Sequence, residues 1–319
     1  MRDDTMPGVN SLWFNIEMLL RRQFPAAPIA VLLGVCGGAG RYYPGPIAEF
    51  ALPSPHVARR LFERSAIDLV EHDDEPAQLG LRAAFHRGGS AIVAVDSFYL
   101  PYRPAYNRVH SGRTLIARAT DDPCKVAVTD CWPPAWEGSL DIEQLGQARR
   151  STVPLVPRLE PVFAGVPLDM RWWSLSAAPP ATDRAWVRAA LAWLHRDERT
   201  EGGSAAAIAA LADSAAAGPD ACRWASLVLR AELSPRVYTS ILLRSAARFL
   251  ADPLLADYAA RYTIAIDRIG HARDLLVKQC VRPSPYIERY ARDEIRAGAA
   301  VLDELPALTA AYAAEACHA

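Results

Sequence analysis

The pattern of apolar residues changes near residue 180, and this change constrains the fold more than any other feature of the sequence. Before it, short β-rich segments bounded by Gly, Pro or Asp occupy 91–96, 114–119 and 125–129. After it, the chain is rich in alanine and its apolar residues recur at helical spacing. Strands followed by helices predict an α+β fold with an antiparallel sheet and a separate helical part. We therefore predict two domains, 1–178 and 179–319.

Local signals predict the elements on both sides of this change. A helix begins at Asn10 or Ser11, where a side chain can cap it, and ends before Pro25. The apolar run 29–36 is short and continuous, which favours a buried strand. The other predictions are helices over 56–71, 77–86 and from 141, a strand at 170–176, and C-terminal helices that break at Gly202-Gly203, Gly218-Pro219, Pro235, Pro253 and Pro283.

Charge and cysteine content limit the class of partner. The chain has 319 residues, and 35 Lys+Arg against 36 Asp+Glu give a formal net charge of −1. This balance provides no broad positive field for nucleic acid or an anionic membrane, and the longest apolar run, 29–35, is too short to span a bilayer. The six cysteines are scattered without C-x-x-C spacing, which is typical of reduced thiols. The sequence predicts a cytoplasmic protein whose partners are small molecules or individual proteins.

Two patterns suggest other kinds of site, and both are disfavoured. The Gly-rich turn within 34–40 lacks the G-x-G-x-x-G spacing, and the residues after it cannot open a phosphate-binding helix. His72 is followed by three acids in one loop, and consecutive acids do not converge on one ion without ligands from elsewhere. We predict neither a metal nor a diffusible cofactor.

Three residues form a candidate catalytic set: Ser11, His110 and Asp130. Ser11 stands at the start of a buried helix, where the positive end of the helix dipole stabilises an anionic side chain. A nucleophile also needs a base, and the base a group that orients it. His110 precedes one predicted strand and Asp130 ends the next, so antiparallel pairing would bring their side chains together. The alternatives are a helix cap for Ser11 and a hydrogen-bonded loop residue for His110.

The order of the motifs resembles a known family. Two segments are similar to a conserved-pattern segment of that family and the histidine-bearing strand that follows it. They are GSAIVAVDSFYLPY at 89–102 and YNRVHSGRTLI at 106–116. VAVTD at 126–130 and DIEQLGQARRS at 141–151 resemble the elements that follow. GVNSLWFN and LGVCGGAG resemble the opening of the family pattern. Through these segments the chain resembles the BtrH-like papain-fold acyltransferases, which are related to the cysteine peptidases that remove double-glycine leaders.

The resemblance implies a papain-like domain, in which an N-terminal helix packs on an antiparallel sheet. It also implies an enzyme that moves an acyl group from a carrier-protein thioester to an amine in specialised-metabolite biosynthesis. The partners would be an acyl or peptidyl carrier protein, which brings phosphopantetheine, and a small-molecule amine acceptor; a homodimer is left open. Ser11 would stand at the family's cysteine, Asp130 at its aspartate, and either His110 or Arg113 at its histidine.

Two departures from the family pattern leave the mechanism open. Serine is a poorer nucleophile than a thiolate and depends on its base. Arg113 cannot be that base, because arginine keeps its proton in proteins. The chain is therefore an acyltransferase that uses Ser11, His110 and Asp130, a form in which serine replaces a natural cysteine, or a catalytically silent module that binds a carrier protein or pathway intermediate. A leader peptidase is the least favoured alternative.

Four further residues are predicted to contact substrate: Asp96, Tyr99, Tyr102 and Arg113. Asp96 ends a strand and could hold Arg113 or an amine, with strand-end hydrogen bonding as the alternative. The two tyrosines flank a proline, so packing is the alternative role for them. Cys131 follows Asp130 directly, and its side chain should therefore point to the opposite face of the strand. We predict that Cys131 is inert.

Overall fold

The structure, a computed structural model, describes residues 11–36, 55–72, 79–87, 89–131, 134–151, 168, 170–200 and 204–316. The Gly-rich turn at 37–40 therefore lies outside the described residues. Within the described part, the molecule is an α+β fold with a six-stranded sheet and a helical C-terminal half. The predicted α+β class is confirmed.

The N-terminal helix forms where the apolar spacing predicts it. Helix α1 spans Ser11–Gln23 and buries Leu12, Trp13, Ile16 and Leu20. The strand predicted over 29–36 is wrong, since this segment forms a short helix α2, Ile29–Leu33, and a 3-10 turn, Gly34–Cys36. A short, fully apolar run cannot be distinguished from a buried helix by its period alone.

The second predicted helix ends earlier than its amphipathic pattern indicates. Helix α3 spans Pro55–Ser65, and strand β1, Ile67–His72, follows it directly. Ala66 has a φ of 50°, in the left-handed region, and this turns the chain out of the helix. Tertiary pairing of β1 with β6 then overrides the local helical pattern, so the prediction of one helix over 56–71 is wrong in its second half.

The sheet is antiparallel at every described strand pair, with strand order β1-β6-β2-β3-β4-β5. Helix α4, Leu79–His86, precedes β2, and helix α5, Ile142–Arg149, follows β5. The strand predictions at 91–96, 114–119, 125–129 and 170–176 are confirmed to within two residues. The strands after β1 are β2, Ser90–Asp96; β3, Gly112–Ala119; β4, Lys125–Asp130; β5, Trp136–Asp141; and β6, Trp172–Ala177.

Alternate residues of the central strands pack into two different cores. Ile92, Ala94 and Ile116 belong to the core that contains α1 and the C-terminal helices. Their neighbours Val93 and Leu115 belong to a smaller core with residues of α4 and α5. This alternation follows from the two-residue period of a strand. The sheet therefore has an α1 face and an α5 face.

The C-terminal half is helical, as its alanine-rich pattern predicts. Proline is the first residue of three of these helices, where its missing N–H has no intrahelical role. The break predicted at Pro235 is wrong, because α8 continues through it. The helices are α6, Arg184–Thr200; α7, Ser204–Ser214; α8, Pro219–Leu250; α9, Pro253–Val281; α10, Pro285–Leu302; and α11, Leu305–Ala316.

Helix α1 is attached to α8 by an aromatic and polar contact. The Tyr238 hydroxyl donates to Glu17 Oε2 at 2.8 Å, and the Trp13 and Tyr238 ring centroids lie 5.8 Å apart. Arg21 Nε donates to the second oxygen of Glu17 at 2.7 Å, which balances this buried charge. One continuous core thus includes α1, one face of the sheet and the C-terminal helices. The division into domains at 178 stays a prediction.

Candidate active site

Ser11 lies at the first position of α1 and contacts the side chain and backbone of Thr114 on β3. Thr114 N donates to Ser11 Oγ at 3.2 Å, and Thr114 Oγ1 lies 3.0 Å from the same oxygen. Asn15, one helical turn further along α1, donates from Nδ2 to Thr114 Oγ1 at 3.0 Å. Asn15 and Thr114 are both buried. Ser11 is therefore attached to the α1 face of the sheet by a short buried chain of polar groups.

His110 is oriented by Asp96. Its Nδ1 lies 2.7 Å from Asp96 Oδ2, and since a carboxylate only accepts, Nδ1 carries the proton and donates it. In the neutral imidazole the second ring nitrogen, Nε2, then keeps a lone pair. The imidazole side chain keeps 23% of its surface exposed, whereas Asp96 is fully buried. An aspartate that holds one imidazole nitrogen and leaves the other as an acceptor is the arrangement of a general base.

The Asp96 carboxylate is held by four donors. Oδ1 accepts from the backbone N–H groups of Phe98 and Ser111, each at 3.0 Å. Oδ2 accepts from the Ser151 hydroxyl at 2.7 Å in addition to His110. Hydrogen bonds of this kind stabilise an ionised carboxylate in a buried position. Asp96 was predicted to contact substrate, and strand-end hydrogen bonding was the alternative; among the described residues its contacts fit the alternative.

Two aromatic rings fix the plane of the His110 imidazole. The Phe98 ring stacks on it at 4.1 Å between centroids, with an interplanar angle of 11°. The Tyr99 ring meets it edge-on at 6.2 Å. Both aromatic residues belong to the 3-10 turn Ser97–Tyr99 that follows β2, and Asp96 caps that turn. Tyr99, predicted to contact substrate, therefore lies beside the candidate base.

Asp130 does not orient His110, contrary to the sequence-based expectation. Its Oδ2 accepts from Arg113 NH1 at 2.6 Å and from the Tyr102 hydroxyl at 3.2 Å, and Arg103 NH1 lies 3.6 Å away. By strand alternation Asp130 shares the α5 face with Val126 and Val128, whereas Ser11 lies on the α1 face. The sheet thus separates the predicted nucleophile from the predicted orienting carboxylate.

Within the described residues, Arg113 and Tyr102 donate hydrogen bonds to the Asp130 carboxylate and do not line an open cleft. Arg113 is mostly buried and Asp130 fully so. Tyr102 stacks on Trp136 at 3.9 Å with nearly parallel rings. Burial and the adjacent Asp130 charge raise the pKa of the Tyr102 phenol, which therefore stays protonated and donates. Both residues were predicted to contact substrate; in the described residues they form a buried network at the end of β4.

Ser11 and the His110–Asp96 pair lie at the same end of the sheet. Asp96 pairs with Gly112 across β2 and β3, and Gly112 is two residues from Thr114, which contacts Ser11. Two residues of extended strand span about 7 Å. The described contacts include no hydrogen bond between Ser11 and His110. Ser11 and the His110–Asp96 pair therefore both lie near the start of β3.

Residues that sequence reasoning did not select complete this site: Thr114, Asn15 and Ser151. Thr114 lies within the predicted strand after His110, and Asn15 follows Ser11 by four residues, which puts both on one helix face. That spacing is a usable signal for Asn15. Ser151 is far from Asp96 in sequence, and nothing short of the tertiary fold brings the two together.

Cys131 lies on the α1 face, opposite to Asp130, as strand alternation predicts. Burial, with a smaller contribution from the Asp130 charge, raises the pKa of its thiol to about 12. A protonated thiol is a poor nucleophile. Cys131 thus has the environment of an inert cysteine.

Neither a metal-ligand cluster nor a membrane-spanning helix is found among the described residues. No group of three or more His, Cys, Asp or Glu side chains is placed there to hold a metal ion. No helix in that part of the chain is long and apolar enough to cross a membrane.

Comparison with known proteins adds no assignment. The sequence matches none of the protein-family models compared with it, and it matches no curated protein.

Proposed function

We propose that this chain is a cytoplasmic acyltransferase of papain-like fold, which moves an acyl group from a carrier-protein thioester to a small-molecule amine through Ser11. The observation that carries the proposal is the His110–Asp96 hydrogen bond of 2.7 Å at the end of the sheet where Ser11 lies. This pair supplies the proton acceptor that a serine nucleophile requires. The packing of α1 on an antiparallel sheet agrees with the papain-like fold implied by the motifs. Within the described residues Cys124, Cys131, Cys222 and Cys280 form no disulfide, which agrees with a reducing compartment.

The chemistry follows from the positions of these groups. Ser11 Oγ attacks the thioester carbonyl while His110 Nε2 accepts its proton, directly or through one water. The carbon–sulfur bond then breaks, and the leaving thiolate of phosphopantetheine takes the proton from His110. In the second half, the amine attacks the acyl-serine ester, His110 removes the amine proton, and Ser11 regains it as the ester bond breaks. We assign the stabilisation of the oxyanion to backbone N–H groups at the start of α1, near Leu12.

The second candidate is a catalytically silent module that binds a carrier protein or pathway intermediate. The observation that favours it is the Arg113–Asp130 ion pair of 2.6 Å. Through the motif resemblance, Arg113 is one of two residues aligned with the family histidine and Asp130 is aligned with its aspartate. If Arg113 holds that position, an arginine that cannot accept a proton has replaced the family base.

Intact-mass spectrometry tests both candidates. The protein is mixed with a panel of carrier proteins that are loaded with short, branched and amino-acyl groups, and binding is followed in parallel. We expect an acyl adduct on the protein, its loss in Ser11→Ala, and its strong slowing in His110→Gln. His271→Gln, a change at an exposed histidine of α9, is the matched control and should react normally.

The outcomes separate the two candidates. Carrier binding without any adduct, in the native protein and in Ser11→Cys, would favour the binding module. An adduct that persists in Ser11→Ala would place the reacting group elsewhere. Absence of both binding and adduct across the panel would contradict both candidates.

A further inference from the structure

Two donors from one residue point at the oxygen of Ser11. Thr114 presents its backbone N–H at 3.2 Å and its hydroxyl at 3.0 Å. Because Asn15 Nδ2 donates to Thr114 Oγ1, one lone pair of that hydroxyl is occupied. The Thr114 proton is thereby free to point at Ser11. Ser11 Oγ accepts from both donors in the resting protein, and its own proton is donated outward, away from Thr114.

This arrangement favours the anion of Ser11 over its neutral form. A hydrogen bond to an ionised oxygen is roughly twice as strong as one to a neutral oxygen. Two such donors, together with the positive end of the α1 dipole, therefore stabilise an alkoxide more than an alcohol. Only interactions that strengthen along the reaction accelerate it.

Asn15 costs stability at its position. Its Oδ1 is buried, and it has no hydrogen-bond partner in the part of the chain that the structure describes. A buried acceptor without a partner destabilises a fold. An apolar residue would pack at this site without that cost. The hydrogen bond that Asn15 does make is at its other end, where Nδ2 donates to Thr114 Oγ1.

We propose that Thr114 is a catalytic residue that stabilises the Ser11 alkoxide through its N–H and hydroxyl, and that Asn15 is the positioning residue that turns this hydroxyl toward Ser11. The proposal rests on the acyl-transfer function through Ser11. Under this proposal, the groups around Ser11 Oγ stabilise a negatively charged oxygen. Capping of helix α1 is then not the only role of Ser11.

The first test needs no acyl donor. In Ser11→Cys, alkylation of the introduced thiol by iodoacetamide is followed against pH by peptide mass mapping, which separates it from the natural cysteines. The same curve is measured with Thr114→Val or Thr114→Ser added. We expect the valine to move the alkylation midpoint up by about one pH unit, because a donor to the thiolate is lost. Serine should restore the midpoint, and equal midpoints in all three proteins would overturn the proposal.

The second test measures acyl uptake in the serine protein. Thr114→Val should slow the formation of the acyl adduct about 10- to 100-fold, whereas Thr114→Ser should stay within about threefold of the native rate. Uptake unchanged by Thr114→Val would overturn the role of the hydroxyl in catalysis. If the native protein takes up no acyl group while the thiol midpoint still shifts, the acyl-transfer function fails and the donor role of Thr114 stands.

Asn15→Leu separates positioning from folding. We expect slower acyl uptake together with an unfolding midpoint equal to or above that of the native protein, because the orphan Oδ1 is removed. A loss of uptake that only parallels a loss of stability would overturn the positioning role of Asn15.

Discussion

Asp96 ends β2 and Asp130 ends β4, and both carboxylates are fully buried, yet their partners differ in kind. Asp96 accepts from two backbone N–H groups, a serine and a partly exposed imidazole. Asp130 accepts from a mostly buried guanidinium and a partly buried phenol. A carboxylate that orients an accessible, titratable ring can support proton transfer, whereas one that neutralises a buried arginine mainly supports folding. The two sites therefore predict opposite responses to mutation.

The largest expected effect is on stability, at Asp130. Asp130→Ala removes the charge partner of Arg113 and leaves that guanidinium buried. Loss of one member of a buried pair costs about 3–5 kcal/mol in the free energy of unfolding. Urea denaturation measures this loss, and Asp130→Ala with Arg113→Met should recover a large part of it. A loss below about 1 kcal/mol would show that the pair is not buried as described.

The next effect is on activity, at Asp96. Asp96→Asn keeps the shape of the side chain but replaces an acceptor with an amide that cannot orient His110 in the same way. Acyl uptake should fall about 100- to 1000-fold, since general-base assistance contributes at least that much. The free energy of unfolding should fall by only about 1–3 kcal/mol. Uptake that is equally impaired in folded Asp130→Asn would remove the distinction between the two carboxylates.

The free energy of unfolding at alkaline pH tests the Asp130 network through its tyrosine, Tyr102. Burial raises the pKa of Tyr102 and of Tyr238, with the charges of Asp130 and Glu17 adding to it. The folded protein therefore keeps phenolic protons that the unfolded chain releases, so stability is fully present below about pH 10 and falls above it. Each tyrosine should contribute a loss of about 1.4 kcal/mol per pH unit.

Phenylalanine substitutions resolve the two contributions. Unfolding curves of Tyr102→Phe and Tyr238→Phe between pH 9 and 11 should each be flatter than that of the native protein. Identical slopes in all three would contradict proton retention by these phenols.

The last comparison involves no mutation and concerns Cys131, the neighbour of Asp130 on the opposite strand face. With its pKa raised to about 12, Cys131 should react with iodoacetamide at pH 8.5 roughly a thousandfold more slowly than the exposed Cys124. Mass mapping of the native protein compares the two. Comparable rates would indicate that the end of β4 opens in solution.

Elements with a clear period were predictable, and those decided by tertiary packing were not. The spacing of Leu12, Ile16 and Leu20 predicts α1, and β-branched runs predict β2, β3 and β4. The segment that becomes α2 has no period that separates helix from strand. Pro235 breaks no helix, since α8 is held by its packing on either side of the proline. Local sequence contains none of that information.

The candidate site divides in the same way. Ser11 and His110 were selected by residue type and position, and the structure puts them at one end of the sheet. Whether Asp96 or Asp130 orients His110 depends on the path of the loop from 97 to 111 between β2 and β3, because this path decides which carboxylate lies beside the imidazole. The path of this loop is fixed by hydrogen bonds from the backbone N–H groups of Phe98 and Ser111 to the Asp96 carboxylate. The sequence does not reveal these hydrogen bonds.

The tautomer of His110 tests the central claim most directly. Long-range ¹H–¹⁵N NMR correlations identify the protonated nitrogen of a neutral imidazole, and His110→Gln assigns the signal among the seven histidines. Orientation by Asp96 predicts a proton on Nδ1 and a lone pair on Nε2, a pattern that Asp96→Asn should disturb and Asp130→Asn should leave intact. A proton on Nε2 in the native protein, or a pattern that follows Asp130 instead, would contradict the account.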